Sequence, residues 1–212
     1  MKKKIGIYGG TFDPPHNAHV RFAEAFIRQV HPDKLIIVPD LIPPHKALKD
    51  KSASPEDRYE MCVRAFGSFA QVSDWEITRG GISYTVDTVK HFASLYPDSR
   101  LYLLIGDDML TTFTEWKCFD EILSAVTIAA APRSEEGQQR IAPVCDMLRR
   151  EYGADITVID LDILDISSTD VRCGLAAGGK TAGCKTASGS TASGLPESVA
   201  EYITEKKLYG RL

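Results

Sequence analysis

Cysteine is scarce in this sequence, and its five cysteines form no pair with metal-binding or redox spacing. They are Cys62, Cys118, Cys145, Cys173 and Cys184, an odd number with no CxxC motif among them. This usage excludes a disulfide framework and a zinc module built on such pairs. Unpaired cysteines are typical of a reducing compartment, so we expect a cytoplasmic protein.

Long apolar runs and an excess of basic residues are also missing. The first apolar run, Ile5 to Tyr8, follows three lysines but is too short for the core of a signal peptide. No run approaches the roughly 18 apolar residues that cross a membrane. Lys and Arg number 25 against 29 Asp and Glu, a net charge of −4, whereas nucleic-acid-binding domains are usually strongly basic. We therefore expect neither a membrane nor a nucleic acid as a partner.

The sequence does contain a regular alternation of short apolar runs with helical patterns. With 212 residues, 43% of them hydrophobic, the chain can bury a core of its own. Apolar strands alternating with helices indicate an α/β fold: a Rossmann-like, doubly wound parallel sheet with helices on both faces. We predict strands over 4–8, 35–38, 101–105, 125–130 and 156–159, and helices that begin near residues 17, 55, 85, 138 and 196.

Three segments need separate predictions. We expect a short extended piece around Trp75, and an interruption near Pro143 in the helix over 138–152. Residues 174–194 are almost entirely Gly, Ala, Ser, Thr and Lys, which predicts a low-complexity, flexible insertion. The chain is then a single domain over 1–212 that contains this insertion and ends in a helical segment over 195–212.

The turn after the first strand carries the most informative residues. Gly9 and Gly10 allow a ligand to approach the backbone closely. His16 and His19 are three residues apart at the start of the next helix, so they lie on the same face of its first turn. A helix N-terminus offers unpaired N–H groups and a partial positive charge to an anion. The two imidazoles could donate hydrogen bonds to phosphate oxygens or carry charge that balances them.

A second candidate phosphate-binding pattern follows the last predicted strand. Ser167, Ser168 and Thr169 lie at a helix start, and Arg172 follows one turn later. Hydroxyls, backbone N–H groups and a guanidinium together suit the outer phosphates of a triphosphate. Because ligands of a doubly wound sheet bind outside the carboxyl ends of its strands, both patterns belong to the same candidate site.

These patterns resemble those of a known superfamily. The stretch GGTFDPPHNAH (9–19) is similar to the nucleotidylyltransferase pattern that contains T/HxGH, with Ala18 where the pattern has Gly, and ISSTDVR (166–172) matches ISSTxxR. The resemblance to bacterial nicotinate mononucleotide adenylyltransferases rests on IPPHK (42–46), GGISYTVDT (80–88), IGDDM (105–109) and WK (116–117). It covers nearly the whole chain apart from 174–194.

The resemblance implies a nucleotidylyltransferase-type fold with a small helical C-terminal piece. It implies transfer of an adenylyl group from ATP to nicotinate mononucleotide, with release of pyrophosphate. Catalytic roles fall to His16, His19, Lys46 and Arg172. The residues implied to bind ATP are Gly9, Gly10, Thr11, Phe12, His16, His19, Gly106, Asp108, Arg133, Ser167, Ser168, Thr169 and Arg172. Mg²⁺ is expected to accompany ATP, held mainly by phosphates and water, with no metal site formed by the protein.

The resemblance also implies a site for the acceptor. Nicotinate mononucleotide is expected to contact His45, Lys46, Tyr84, Thr85 and Trp116. The indole would lie against the flat pyridine ring, and backbone N–H groups at the helix start near residue 85 would bind the carboxylate. Such donors favour a carboxylate over a neutral amide, so we expect a preference for nicotinate over nicotinamide mononucleotide.

Two other functions remain open on the sequence. Pantetheine-phosphate adenylyltransferase shares the first pattern, although the SYT (83–85) and PPHK (43–46) stretches are not expected there. A non-catalytic nucleotide-binding regulator would keep the fold, but the paired histidines and the intact ISSTxxR pattern favour an enzyme. The sequence leaves the oligomeric state open, a homo-oligomer included.

Overall fold

The structure is a computed structural model that describes residues 2–44, 52–176, 183–185 and 191–210. The strands of its main sheet are β1 Lys4–Gly10, β2 Lys34–Pro39, β3 Gln71–Val72, β4 Arg100–Gly106, β5 Val126–Ala131 and β6 Ile156–Val158. All pairs are parallel, in the order β3-β2-β1-β4-β5-β6. The order reverses between β1 and β4, as in a doubly wound sheet. The predicted Rossmann-like α/β fold is confirmed.

Helices cover both faces of this sheet. They are α1 Asn17–Val30, α2 Pro55–Phe66, α3 Trp75–Arg79, α4 Thr85–Leu95, α5 Asp107–Leu110, α6 Phe119–Ala125, α7 Glu135–Tyr152, α8 Ser168–Ala176 and α9 Glu197–Lys206. On one face α1, α2 and α9 bury residues such as Phe26 and Met61. On the other, α4, α6 and α7 bury Phe92, Ile122 and Leu148. Two apolar layers therefore hold the sheet between them.

The predicted extended piece around Trp75 is wrong, because this segment forms the short helix α3. The backbone N–H and the hydroxyl of Thr78 both donate to the carbonyl oxygen of Asp74, at 2.9 and 2.7 Å. Glu76 is buried and accepts a hydrogen bond from Thr88 of α4. That contact joins residues twelve positions apart, and a five-residue helix shows too little periodicity to predict it.

The predicted interruption near Pro143 is also wrong, since α7 runs through the proline without a break. A proline inside a helix removes one backbone hydrogen bond. Ile141, Cys145 and Leu148 lie on either side of it and are buried against the sheet. Their packing holds the helix together across the missing bond.

The segment 174–194 is described in part. Helix α8 extends into its first residues, and β7 Gly183–Lys185 pairs antiparallel with β8 Thr191–Ser193. The carbonyl oxygen of Gly194 then accepts the N–H of Asn17 at 3.0 Å. The chain thus returns to the N-terminus of α1 before α9 begins. The flexibility of the insertion stays a prediction.

Candidate active site

A pocket of about 480 Å³ lies at the carboxyl ends of the central strands. Its wall contains Gly10 at the end of β1, Asp40 after β2, Gly106 at the end of β4 and Arg133 after β5. In a doubly wound sheet ligands bind in this crevice, where the strand order reverses. Its volume lies within the range of small-molecule sites.

Most of the residues expected to bind ATP share this wall. It contains Gly9, Gly10, Thr11, Phe12, His19, Gly106, Asp108, Arg133, Ser167, Ser168 and Thr169. His16 and Arg172 are outside the wall, but each contacts a residue within it: His16 stacks on His19, and Arg172 donates to Thr169. The structure therefore brings both candidate phosphate-binding patterns to one pocket.

The two histidines of the first turn lie against each other. Their rings stack with centroids 3.7 Å apart and an interplanar angle of 27°. The backbone N–H of His16 donates to Nδ1 of His19 at 3.2 Å. Burial lowers the pKa of His16 to about 3, with a smaller contribution from Arg133. Burial, His16 and Arg133 lower the pKa of His19 well below its usual value. Both rings are therefore neutral near pH 7.

His19 and Arg133 bring two hydrogen-bond donors together. Nη2 of Arg133 is 3.3 Å from Nε2 of His19. A neutral imidazole carries one N–H, and because Nδ1 accepts from the backbone, that hydrogen lies on Nε2. It faces a guanidinium, which can only donate. A phosphate oxygen beside the pair, within hydrogen-bond distance of both nitrogens, would accept from both groups, so this contact marks a position for an anion.

Neighbouring aspartates fix the direction of Arg133. Its Nη1 donates to Asp108 Oδ2 at 2.8 Å, and its backbone N–H donates to Asp107 Oδ1 at 2.7 Å. Gly106 permits the close approach, because a Cβ at this position would lie 2.6 Å from Cδ of Arg133. These contacts hold the guanidinium toward His19.

The ISSTDVR stretch packs directly against the first turn. The hydroxyl of Ser168 donates to the carbonyl oxygen of Pro14 at 2.9 Å, across 154 positions. Arg172 donates to the carbonyl oxygen of Asp13 and to Oγ1 of Thr169, and its Nη1 is 3.6 Å from the Asp13 carboxylate. Arg172 therefore joins the two loops in this state. A phosphate would compete with Asp13 for its guanidinium.

Three of the residues expected to contact the acceptor, Tyr84, Thr85 and Trp116, lie close together in the structure. Thr85 and Trp116 line the main pocket, and a small adjoining recess is lined by both of them together with Tyr84. Thr85 begins α4, so its backbone N–H is one of the unpaired donors of that helix. His45 and Lys46 lie outside the described residues.

Sequence reasoning missed a buried ion pair beneath the first turn. Arg58 is fully buried in α2, with Nη1 2.9 Å from Oδ1 of Asp40. Its guanidinium also donates to the carbonyl oxygens of Thr11, Asp40 and Leu41. The pair thereby connects the ends of β1 and β2. Its sequence signal is a charged residue one helical turn before the buried Met61, on the apolar face of α2.

Tyr8 and Glu76 are two further pocket residues that the sequence did not reveal. Burial raises the pKa of Tyr8, so its hydroxyl remains a neutral donor. Glu76 comes from α3, the helix that the sequence pattern did not predict. Neither residue lies in a motif, and only the fold brings them to the pocket.

The described residues contain no cluster of three or more His, Cys, Asp or Glu side chains that could hold a metal ion. Two pocket carboxylates, Asp40 and Asp108, are each paired with an arginine.

Across the same described ranges, no helix is long and apolar enough to cross a membrane.

The chain is similar to known proteins over most of its length. A family model described as Cytidylyltransferase-like matches residues 7–174. A Listeria monocytogenes serovar 1/2a protein named "Probable nicotinate-nucleotide adenylyltransferase" is 33% identical, with 100% of both chains covered. A Halalkalibacterium halodurans protein of the same name is 37% identical over 74% of this chain and 75% of its own. The structure of Plasmodium falciparum nicotinic acid mononucleotide adenylyltransferase complexed with NaAD has the same fold, with a TM-score of 0.68, 19% identity and coverage of 98% and 97%.

Proposed function

The chain belongs to the nicotinate-nucleotide adenylyltransferase family, and we propose that it transfers the adenylyl group of ATP to nicotinate mononucleotide. The products are nicotinate adenine dinucleotide and pyrophosphate, on the route to NAD. The observation that carries this proposal is the contact between His19 and Arg133. Two donors meet there in the pocket wall, and a phosphate oxygen beside them could accept from both.

The reaction needs no covalent bond to the protein. A phosphate oxygen of nicotinate mononucleotide attacks the α-phosphorus of ATP in line. The bond from that phosphorus to the bridging oxygen breaks, and pyrophosphate leaves with the electron pair. Catalysis then consists of positioning and of stabilising charge on the α-phosphate and the leaving group.

We assign the α- and β-phosphates to the donors of His19 and Arg133. His16 supports them, because its backbone N–H fixes the tautomer of His19 and its ring stacks on that imidazole. Ser168, Thr169 and Arg172 are assigned to the β- and γ-phosphates. Ser168 and Arg172 both contact the first turn, through the carbonyl oxygens of Pro14 and Asp13.

We propose that Mg²⁺ enters the site with ATP. The carboxylates of Asp40 and Asp108 are occupied by arginines, which leaves phosphate oxygens and water as its main ligands. This arrangement suits Mg²⁺, which keeps several waters and binds substrate phosphates readily. When bound, the ion would neutralise charge on the triphosphate.

A Gly106→Ala substitution should raise the KM for ATP by roughly tenfold or more. The added Cβ would lie 2.6 Å from Cδ of Arg133 and 2.7 Å from Oδ1 of Asp108, so the pair that these two side chains form beside His19 must shift. Steady-state kinetics with each substrate varied would show the change. Gly210→Ala is the control, because its nearest contact, the Lys207 carbonyl oxygen at 3.6 Å, is an ordinary one. An unchanged KM for ATP in Gly106→Ala would contradict the role of Arg133.

A Trp116→Ala substitution should raise the KM for nicotinate mononucleotide by about tenfold or more, because stacking on a flat ring is lost. The KM for ATP should change by less than about twofold, since the phosphate donors lie elsewhere in the wall. Trp116→Phe keeps an aromatic face and should restore most of the loss. If only the KM for ATP rises, the acceptor does not bind beside Trp116.

The proposed function is tested by incubating the protein with ATP, Mg²⁺ and one acceptor at a time while pyrophosphate is measured. The acceptors are nicotinate mononucleotide, nicotinamide mononucleotide and phosphopantetheine. We expect the highest kcat/KM with nicotinate mononucleotide. Turnover with phosphopantetheine alone would make the protein a different adenylyltransferase, and no turnover with any acceptor would favour a nucleotide-binding regulator.

A further inference from the structure

Glu76 places a buried carboxyl group in the wall of the same pocket. The residue is 4% exposed and lines the pocket together with Ser83, Thr85 and Trp116. Its Oε1 accepts a hydrogen bond from the hydroxyl of Thr88. Its Oε2 is also buried, with the hydroxyl of Ser83 nearby. A buried carboxylate is costly to ionise, even with hydroxyl neighbours, when no cation is paired with it alone.

A second carboxylate makes an ionised Glu76 still less favourable. Asp40 lines the same pocket, and its charge is engaged by Arg58 at 2.9 Å. Burial raises the pKa of Glu76, and the negative charge of Asp40 raises it further. Ionisation of Glu76 would therefore add a second negative charge to this wall.

Three neighbouring groups lower the pKa of Glu76. The hydroxyls of Ser83 and Thr88 and the guanidinium of Arg79 lower its pKa, but burial outweighs them and the pKa remains raised. The positive charge of Arg79 also acts on a second carboxylate, because its Nη1 lies 3.6 Å from Oδ2 of Asp87 on α4. The surroundings thus hold a proton on Glu76 to higher pH than on an exposed glutamate.

We propose that Glu76 is a specificity-determining residue, which admits the carboxylate of a pyridine-3-carboxylate nucleotide only while its own carboxyl group is protonated. The inference rests on the proposed function, because it assumes that the pyridine ring binds beside Thr85 and Trp116. A protonated Glu76 is neutral and has an O–H donor for a carboxylate. An ionised Glu76 repels that carboxylate and accepts from the N–H groups of a carboxamide instead.

The test is the pH dependence of the KM for nicotinate mononucleotide in the wild type and in Glu76→Gln. The protonated fraction of Glu76 falls as the pH rises through its pKa. As the pH rises through that raised pKa, the wild-type KM should therefore rise, by roughly tenfold once a like charge faces the ligand. Glutamine is neutral and of the same shape, so the variant should keep a low KM throughout. The substrate phosphate titrates identically in both proteins, so the difference between the profiles isolates Glu76.

Two further variants complete the experiment. Thr88→Val removes a hydrogen bond that lowers the pKa of Glu76, so the rise in KM should move to higher pH; this variant alone carries the test if Glu76→Gln does not fold. Glu121→Gln, at an exposed pair with Lys90, should keep the wild-type profile.

Parallel profiles for the wild type and Glu76→Gln, or a KM raised at every pH in Glu76→Gln, would overturn the inference. If Glu76→Gln does not fold, an unshifted profile in Thr88→Val would overturn it instead. Absence of the dinucleotide product in every protein at every pH would instead contradict the proposed function.

Discussion

Replacing His19 by alanine should lower kcat by roughly a hundredfold or more, the scale on which one preorganised donor contributes to a transition state. The Nε2 hydrogen of His19 lies beside the guanidinium of Arg133, with 3.3 Å between the two nitrogens. A phosphate that develops charge during transfer would accept hydrogen bonds from both groups. Removing the imidazole leaves the guanidinium alone, so the rate of the chemical step should fall more than ATP binding does.

The His19→Ala measurement needs a matched histidine elsewhere in the chain. His31 is exposed and follows the last residue of α1, where its backbone adopts the left-handed conformation with a φ of 50°. His31→Asn keeps a residue that tolerates this conformation, and its kcat should equal that of the wild type. Thermal unfolding of both variants would show whether the fold is intact. A near-normal kcat in folded His19→Ala would remove His19 from the phosphate site.

Replacing Arg58 by methionine should lower the free energy of unfolding by about 3–5 kcal/mol, the usual cost of removing one partner from a buried ion pair. The guanidinium is fully buried and joins Asp40 to the carbonyl oxygens of Thr11 and Leu41. Without it the buried carboxylate of Asp40 loses its ion-pair partner. Urea unfolding of the purified variant would measure the change.

Two companion variants separate charge from packing at this position. Arg64 lies on the same helix and pairs with Glu60, and the two side chains are 34% and 39% exposed. Arg64→Met should therefore lower the free energy of unfolding by about 1 kcal/mol or less. Adding Asp40→Asn to Arg58→Met removes the charge of that carboxylate and should restore part of the stability. A loss below about 1 kcal/mol in Arg58→Met would show that the buried pair does not hold the two strand ends together.

The parts of the fold that could be predicted are those with local signals. Gly9 and Gly10 end a continuous apolar run, so both the strand and the turn are visible in a few residues. Ser54 and Pro55 mark the start of α2, and the Ser54 hydroxyl accepts the N–H of Asp57 at 3.0 Å. Caps and apolar runs act over four or five positions, which is the range that a sequence pattern covers.

The contacts that complete the site could not be predicted, because they join distant positions. Arg133 and His19 are 114 positions apart, and the hydroxyl of Tyr209 donates to the buried carboxylate of Asp13 across 196 positions, at 2.7 Å. The strand order of the sheet brings such pairs together, and local sequence patterns do not reveal that order. Glu76 is the clearest case, since its helix was itself not predicted and its burial depends on α4.

The proposed reaction transfers the α-phosphorus of ATP to a mononucleotide. ATP labelled at the α-phosphorus, incubated with Mg²⁺ and nicotinate mononucleotide, shows this transfer once the products are separated. The label should appear in nicotinate adenine dinucleotide, and the pyrophosphate should be unlabelled. Label that remains in ATP, or that appears only in AMP, would rule out adenylyl transfer to the mononucleotide.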